Sequence, residues 1–187
     1  MGMPYANTEW TAEMVNALPE DGKRYEVIDG ELFVTPAPLL VHQKAVAELY
    51  LLLAPYAKAL KLDPLFAPAA VRFSERREVQ PDVLVMPRMP DGKFAVSFGD
   101  VGKLLLAVEV VSPSSGRTDR FTKRRLYQEE NVLDYWIIDT ESRTVECWQP
   151  QSEHAETVVT TLYWQPLASH APLAIDLPAY FREVFGE

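Results

Sequence analysis

Two uninterrupted apolar runs dominate the hydrophobic pattern. The first, Leu104-Leu105-Leu106-Ala107-Val108, continues as Val110-Val111 beyond Glu109; the second, Tyr135-Trp136-Ile137-Ile138, ends at Asp139. Runs of this kind, bounded by turn residues, read as strands covered on both faces. A Ser-Pro-Ser-Ser-Gly turn and a helix with five basic residues in nine positions (Arg117, Arg120, Lys123, Arg124, Arg125) are predicted between them. Burying an ionised carboxylate is costly unless a partner or a metal satisfies it. Glu109, inside the first run and beside a basic helix, is therefore the residue that most needs a reason.

The remaining pattern falls around these strands. Thr8–Leu18 is predicted to be a first helix, with Thr8 as N-cap and Glu9 in the first turn. Tyr25–Ile28 and Glu31–Val34 flank Asp29-Gly30, the strongest short-range hairpin signal. With a two-residue turn Ile28 faces Glu31 and Glu26 faces Phe33, so Glu26 and Glu31 share a face of the hairpin. After the joint Thr35-Pro36-Ala37-Pro38, a helix from about Val41 to Leu60 is apolar around much of its circumference and is expected to pack on a sheet. Strands over Ala69–Ser74 and Val79–Met86 follow, the second carrying Asp82 as its carboxylate and Pro81 where a strand start or edge tolerates proline. Pro87–Gly102 reads as a polar, mobile loop. Thr144–Gln149 is expected to pair with Tyr135–Asp139, Thr157–Trp164 to form an edge strand, and the tail Leu173–Phe185 to finish in a short helix. The order αββαβββαβββ, with no internal repeat or interdomain linker, predicts a single α/β domain over 1–187 with a mixed sheet.

Composition narrows the class. A chain of 187 residues can bury a substantial core, and no apolar stretch approaches the roughly 20 residues of a membrane span. The segment MGMPYANTEW lacks the basic-then-apolar order of a secretory signal, so a cytoplasmic protein is expected. Cys147 is the only cysteine, which excludes an internal disulfide and a cysteine-rich zinc site. The formal net charge of −9 argues against a general nucleic-acid binder, because phosphate contacts need clustered Lys and Arg. The distribution tempers that argument: basic residues gather at 117–125, with Arg72, Arg76 and Arg77 as a second group. A metal in an acidic site would also offset negative charge locally.

Three acidic elements recur in the predicted strands: Glu26 or Glu31, Asp82, and Glu109. If the strands of Asp82 and Glu109 are neighbours, the two carboxylates can converge on one Mg²⁺, a hard cation that prefers oxygen ligands. Lys123 lies four residues from both Asp119 and Tyr127 and shares their helix face. Carboxylates on two strands and a lysine on the adjacent element suit metal-assisted phosphodiester hydrolysis, the carboxylates holding the metal and the lysine orienting a water or neutralising developing charge. Arg117, Arg120 and Arg124 are the candidates to meet phosphate. Plainer readings stand beside these. Asp82 could accept backbone N–H bonds at a strand end, and Glu109 could form a buried ion pair with Lys123 or an arginine of the helix. Lys123 could belong to a solvated basic face, and Glu26 and Glu31 could be solvated hairpin residues. Ser112 and Ser114 have no local His-Asp arrangement, and no glycine-rich phosphate loop is present.

Several of these segments recur together in a known order: Tyr25-Glu26-Val27-Ile28-Asp29-Gly30-Glu31-Leu32, His42-Gln43, Gln80-Pro81-Asp82, Glu109-Val110-Val111-Ser112-Pro113-Ser114, Asp119…Lys123…Tyr127 and Tyr135-Trp136-Ile137-Ile138-Asp139. Over about residues 20–150, with a weaker echo in the tail, the chain resembles the Uma-two family of restriction-endonuclease-like proteins in the PD-(D/E)XK superfamily. The resemblance implies a restriction-endonuclease-like α/β core, a mixed sheet flanked by helices with an N-terminal β-hairpin, and a Mg²⁺- or Mn²⁺-dependent endonuclease acting on DNA. It implies Asp82 and Glu109 as metal ligands with the Val110 carbonyl as a third, Lys123 as the catalytic lysine, Glu26 or Glu31 close by, and His42 as a nucleic-acid contact. The chain departs from the superfamily pattern at Val111, where a lysine is expected two residues after Glu109. Either Lys123 reaches the site from its helix, or the fold serves as a catalytically silent binding or assembly module. Apolar edge strands add a homodimer to the expectations.

Overall fold

The two apolar runs become adjacent parallel strands at the centre of a six-stranded sheet. They are β7 (Leu106–Val111) and β8 (Asp134–Asp139), with Glu109 opposite Ile137 in the register. The computed structural model describes residues 9–111 and 116–187; Thr8 and the turn residues 112–115, Ser112 and Ser114 among them, lie outside the described residues. On one side of the central pair are β6 (Val83–Pro87) and β3 (Leu62–Phe66), and on the other β9 (Thr144–Trp148) and β10 (Glu156–Val158). Every pairing in this sheet other than β7–β8 is antiparallel, so the sheet is mixed as the element order predicts.

Both faces of the central strands are buried, and their alternation sorts residues between two cores. Leu106, Val108 and Val110 on β7, with Trp136 and Ile138 on β8, face α2 (Leu40–Ala59) and α4 (Leu177–Phe185). Along α2 the buried residues Ala45, Val46, Leu49, Leu53 and Ala57 recur at helical spacing and form its sheet-facing stripe. Of its other apolar residues, Ala54 is buried, Val41, Tyr50 and Tyr56 are half-buried against the same core, and Leu40, Leu51 and Leu52 are exposed. α4 is capped by Asp176, whose Oδ1 accepts from the Ala179 N–H at 2.8 Å, and ends at Gly186 in the left-handed conformation. Asp176→Ala is expected to cost about 1 kcal/mol of stability, read as a shift of the urea midpoint.

The opposite face carries Ala107, Val111, Tyr135 and Ile137, packed against Leu126 and Tyr127 of α3 (Arg124–Glu129) and against a second sheet. That sheet has the order β2-β1-β5-β4, with β1 (Arg24–Ile28), β2 (Glu31–Thr35), β4 (Val71–Ser74) and β5 (Arg77–Val79). The β1–β2 hairpin forms with the expected register, Glu26 opposite Phe33 and Ile28 opposite Glu31. Asp29 and Gly30 both have positive φ, as a two-residue primed turn requires. A Cβ at Gly30 would lie 2.8 Å from the Arg76 guanidinium. The second basic group is structural here: Arg77 reaches Asp29 at 2.6 Å, Glu130 at 2.6 Å and Glu129 at 2.5 Å, tying the hairpin turn to α3.

Several elements differ from the pattern's forecast. The first helix, α1 (Ala12–Asn16), is shorter, and its N-cap is Thr11, which accepts from the Met14 N–H. The predicted strand Val79–Met86 is two strands in two sheets: β5 ends at Val79, Pro81 breaks the ladder, and β6 begins at Val83. β3 has no counterpart among the predicted strands; Pro64 lies within it, and β3 stands at the sheet edge, where proline is tolerated. Thr157–Trp164 likewise divides into β10 and β11 (Thr161–Trp164), and β11 pairs with β12 (Leu173–Asp176). In Pro87–Gly102, Ala95 and Phe98 are buried, and Phe98 stacks edge-on against Phe73, so the segment is partly anchored in the second core.

Candidate active site

The break that sends β5 and β6 into different sheets leaves Asp82 at the junction, beside the end of β7. Its N–H donates to the Val108 carbonyl at 2.9 Å, the last backbone bond joining that segment to β7. One step further along β7, the Val110 N–H has no strand partner on that side and donates instead to Asp82 Oδ2 at 2.9 Å. In a strand the C=O of a residue points to the same side as its N–H, so the Val110 carbonyl also turns toward Asp82. Strand alternation puts Glu109 on the opposite face of β7 from Val110, toward α3. The helix before α3 starts as a π-helical stretch, Thr118–Lys123, with Asp119 and Lys123 both buried.

Lys123 reaches the strand carboxylates from that stretch. Its Nζ lies 2.9 Å from Glu26 Oε2, 3.0 Å from Glu109 Oε1 and 3.8 Å from Asp119 Oδ1. Glu109 Oε1 also accepts from the Tyr127 hydroxyl at 3.1 Å, and Glu26 Oε1 accepts from the Gln80 N–H at 2.7 Å. Asp82 is held from two further directions, by Arg24 Nη2 at 2.7 Å and by His42 Nε2, in the first turn of α2, at 3.0 Å. All these groups except Tyr127 and Gln80 line a cavity of about 440 Å³. Its other wall is apolar, formed by Phe33, Pro36, Pro38, Leu39 and Val41.

Electrostatics separate the two strand carboxylates. Burial opposes charge on Asp82, but the His42 bond, the Arg24 charge and the Val110 N–H outweigh it and hold the carboxyl down at about 2. Burial pushes Glu109 well above the ordinary carboxylate range; Lys123 opposes this, and Asp82, Asp119 and Glu26 add to it. Burial also works against the Lys123 charge, yet Glu109, Glu26 and Asp119 together raise the ammonium above the usual lysine range. Burial is the larger cause for Glu109, and the charge balance adds to both shifts: four carboxylates (Glu26, Asp82, Glu109, Asp119) line the cavity with two cations, Arg24 and Lys123.

Of the residues singled out in the sequence, the fold brings Glu26, His42, Asp82, Glu109, Val110 and Lys123 to this cavity. Glu31 shares the hairpin face with Glu26 but stands at the turn end, exposed and away from the cavity lining. Arg117 is exposed. Arg120 turns to Asp139 at 2.9 Å and Glu146 at 2.6 Å, while Arg124 lies 4.8 Å from the Trp148 ring centroid. Neither lines the cavity. Arg24 was missed. Its signal was present, because it stands two residues before Glu26 and therefore on the same face of β1.

The oxygen-rich donor set suits a hard divalent cation. Among the described residues no group of three or more His, Cys, Asp or Glu forms a ready-made metal cluster. Two carboxylates and a carbonyl nevertheless resemble what Mg²⁺ takes, since it is usually bound through one or two carboxylates and keeps several waters. The inward oxygens of Asp82 and Glu109 already face one cation, the Arg24 guanidinium.

The mixed sheet flanked by helices that carries these groups is a nuclease-like α/β fold. A crystal structure described as "a putative nuclease belonging to DUF820", from Anabaena variabilis ATCC 29413, is similar with a TM-score of 0.75 and 22% sequence identity. The similarity covers 93% of this chain and 98% of that one. The model of the Uma2 family, described as "Putative restriction endonuclease", matches residues 12–177, and the chain belongs to that family. No curated protein matches the chain. Among the described residues, no helix is long and apolar enough to cross a membrane.

Proposed function

We propose that this protein is a Mg²⁺- or Mn²⁺-dependent nuclease that hydrolyses DNA phosphodiester bonds in the cavity around Asp82, Glu109 and Lys123. The observation that carries this reading is the placement of Lys123. Val111 stands where the superfamily pattern has its lysine, yet the Lys123 ammonium arrives within 3.0 Å of Glu109 from a different element. Asp82 and Glu109, with the Val110 carbonyl, would hold the metal, and the surplus of carboxylates is what a divalent charge relieves. When bound, the metal supplies Lewis-acid stabilisation of phosphate charge and lowers the pKa of a coordinated water. The chain's own residues do the rest. Glu26 and Glu109 fix the Lys123 ammonium so that it can orient a water or meet developing negative charge. Tyr127 keeps its proton, because burial and then the Glu109 charge push its hydroxyl well above its ordinary range, and so it donates to Glu109. Exposed Arg117 is the basic group offered to phosphate, because His42, expected to share that role, is held on Asp82 through Nε2.

One observation favours a second reading. Each strand carboxylate already has a protein cation, Lys123 for Glu109 and Arg24 for Asp82. A silent nuclease fold used as a binding module would keep these pairs for stability alone. Calorimetric titration with Mn²⁺ separates the two. Saturable binding in the wild type, weakened at least about tenfold in Asp82→Asn, is the outcome expected of the nuclease. No saturable binding at millimolar Mn²⁺ is the outcome expected of the binding module. Asparagine is the better substitution because alanine would leave the buried Val110 N–H without an acceptor.

A further inference from the structure

The carboxylate oxygens in the cavity divide into two sets. Asp82 Oδ2 is taken by the Val110 N–H at 2.9 Å and His42 Nε2 at 3.0 Å, and Glu109 Oε1 by Lys123 at 3.0 Å and Tyr127 at 3.1 Å. The other oxygens both face one group. Arg24 Nη2 is 2.7 Å from Asp82 Oδ1, and Arg24 Nη1 is 4.0 Å from Glu109 Oε2. Nη1 is steadied by the Gln80 carbonyl at 3.0 Å, and the side chain is only 16% exposed. A guanidinium thus stands between the two oxygens that the nuclease reading leaves for a metal.

We propose that Arg24 is the resident counter-ion of this site and that a divalent cation binds by displacing it. The inference rests on the reading of Asp82 and Glu109 as metal ligands. Arg24 pairing and metal occupancy then exclude each other, and Arg24 sets how tightly the metal is held. The reason is electrostatic. A guanidinium cannot lose its proton to make room, and two cations sharing the same two oxygens of buried carboxylates repel strongly. Arg24 must therefore swing away. As the first residue of β1, with its side chain in the cavity wall, it can move without breaking the β1–β2 ladder. In the metal-free protein the same side chain neutralises Asp82 and so supports the fold.

The test combines Mn²⁺ calorimetry with thermal melting on wild type, Arg24→Gln, Arg24→Lys and Asp82→Asn. Arg24→Gln should bind Mn²⁺ at least about tenfold more tightly than wild type, because the competing charge is gone. Without metal it should melt below wild type, and it should gain more on adding saturating Mn²⁺. Arg24→Lys, which keeps the charge but cannot reproduce the planar guanidinium geometry, should fall between the two. It carries the comparison if the glutamine variant does not fold without metal. Saturable wild-type binding with equal or weaker affinity in both Arg24 variants would overturn the displacement model and leave the metal site standing. No binding in wild type or either Arg24 variant, or binding unchanged in Asp82→Asn, would overturn the metal site itself, and the displacement model with it.

Discussion

Glu109→Gln is expected to lower Mn²⁺-dependent cleavage of DNA by roughly a hundredfold to a thousandfold and to leave the fold intact. Glutamine has the shape of the carboxyl it replaces, so its oxygen can still accept from Lys123 and from the Tyr127 hydroxyl, at the positions where Glu109 Oε1 now accepts at 3.0 and 3.1 Å. Burial pushes the Glu109 carboxyl toward its protonated form, which the amide imitates, so the packed strand meets a familiar neighbour. What the amide cannot do is offer a negative oxygen at the Oε2 position. Conversion of supercoiled plasmid, with urea unfolding as the control for folding, measures both halves of the claim. Cleavage at the wild-type rate in a folded Glu109→Gln protein would remove Glu109 from the metal site and leave it as a structural partner of Lys123.

Lys123→Ala is expected to destabilise the metal-free protein by about 3–5 kcal/mol, the range for removing one partner of a buried ion pair. The lysine side chain is 5% exposed and stands among Glu26, Glu109 and Asp119. Its loss would leave these buried acids with no ammonium to offset them. Proton uptake by Glu109 would recover part of the loss, so the double variant Lys123→Ala/Glu109→Gln should be more stable than Lys123→Ala alone. Urea denaturation of the four proteins of this cycle gives the coupling directly. A coupling near zero would mean that Lys123 and Glu109 do not support one another. Activity is the wrong readout here, because both the catalytic and the structural role predict its loss.

The structure also changes how the acidic balance of the chain reads against a nucleic-acid substrate. Basic residues clustered in sequence are largely spent on neighbouring acids: Arg77 on Asp29, Glu129 and Glu130, Arg120 on Asp139 and Glu146, and Arg125 on Asp29. A charge cluster along a helix counts as a phosphate-binding surface only if tertiary neighbours leave it free. Arg117 is exposed, whereas Arg120 is committed elsewhere, so salt-dependent DNA binding through this helix should be shallow.

Short-range patterns decided much of this architecture. The Asp29-Gly30 turn needs only two residues that accept positive φ, so the hairpin and the shared face of Glu26 and Phe33 follow from local chemistry. The α2 helix and the strands β7 and β8 follow from apolar runs too long or too regular to be solvated, and the cost of burying a carboxylate marked Glu109 before any neighbour was known. Sequence order also placed Lys123 on a face with Asp119 and Tyr127, which the π-helical start of that helix preserves closely enough for Lys123 to meet Asp119 at 3.8 Å. Tertiary structure decided what each group meets. That Pro81 would divide one apparent strand between two sheets, that Pro64 would sit in an edge strand, and that Arg24 and His42 would converge on Asp82 from 58 and 40 residues away depend on contacts between distant segments. Local periodicity reports which face a side chain takes and how much it loses by burial. The partner across the gap is chosen by packing of the whole chain, and only the folded protein contains that information in readable form.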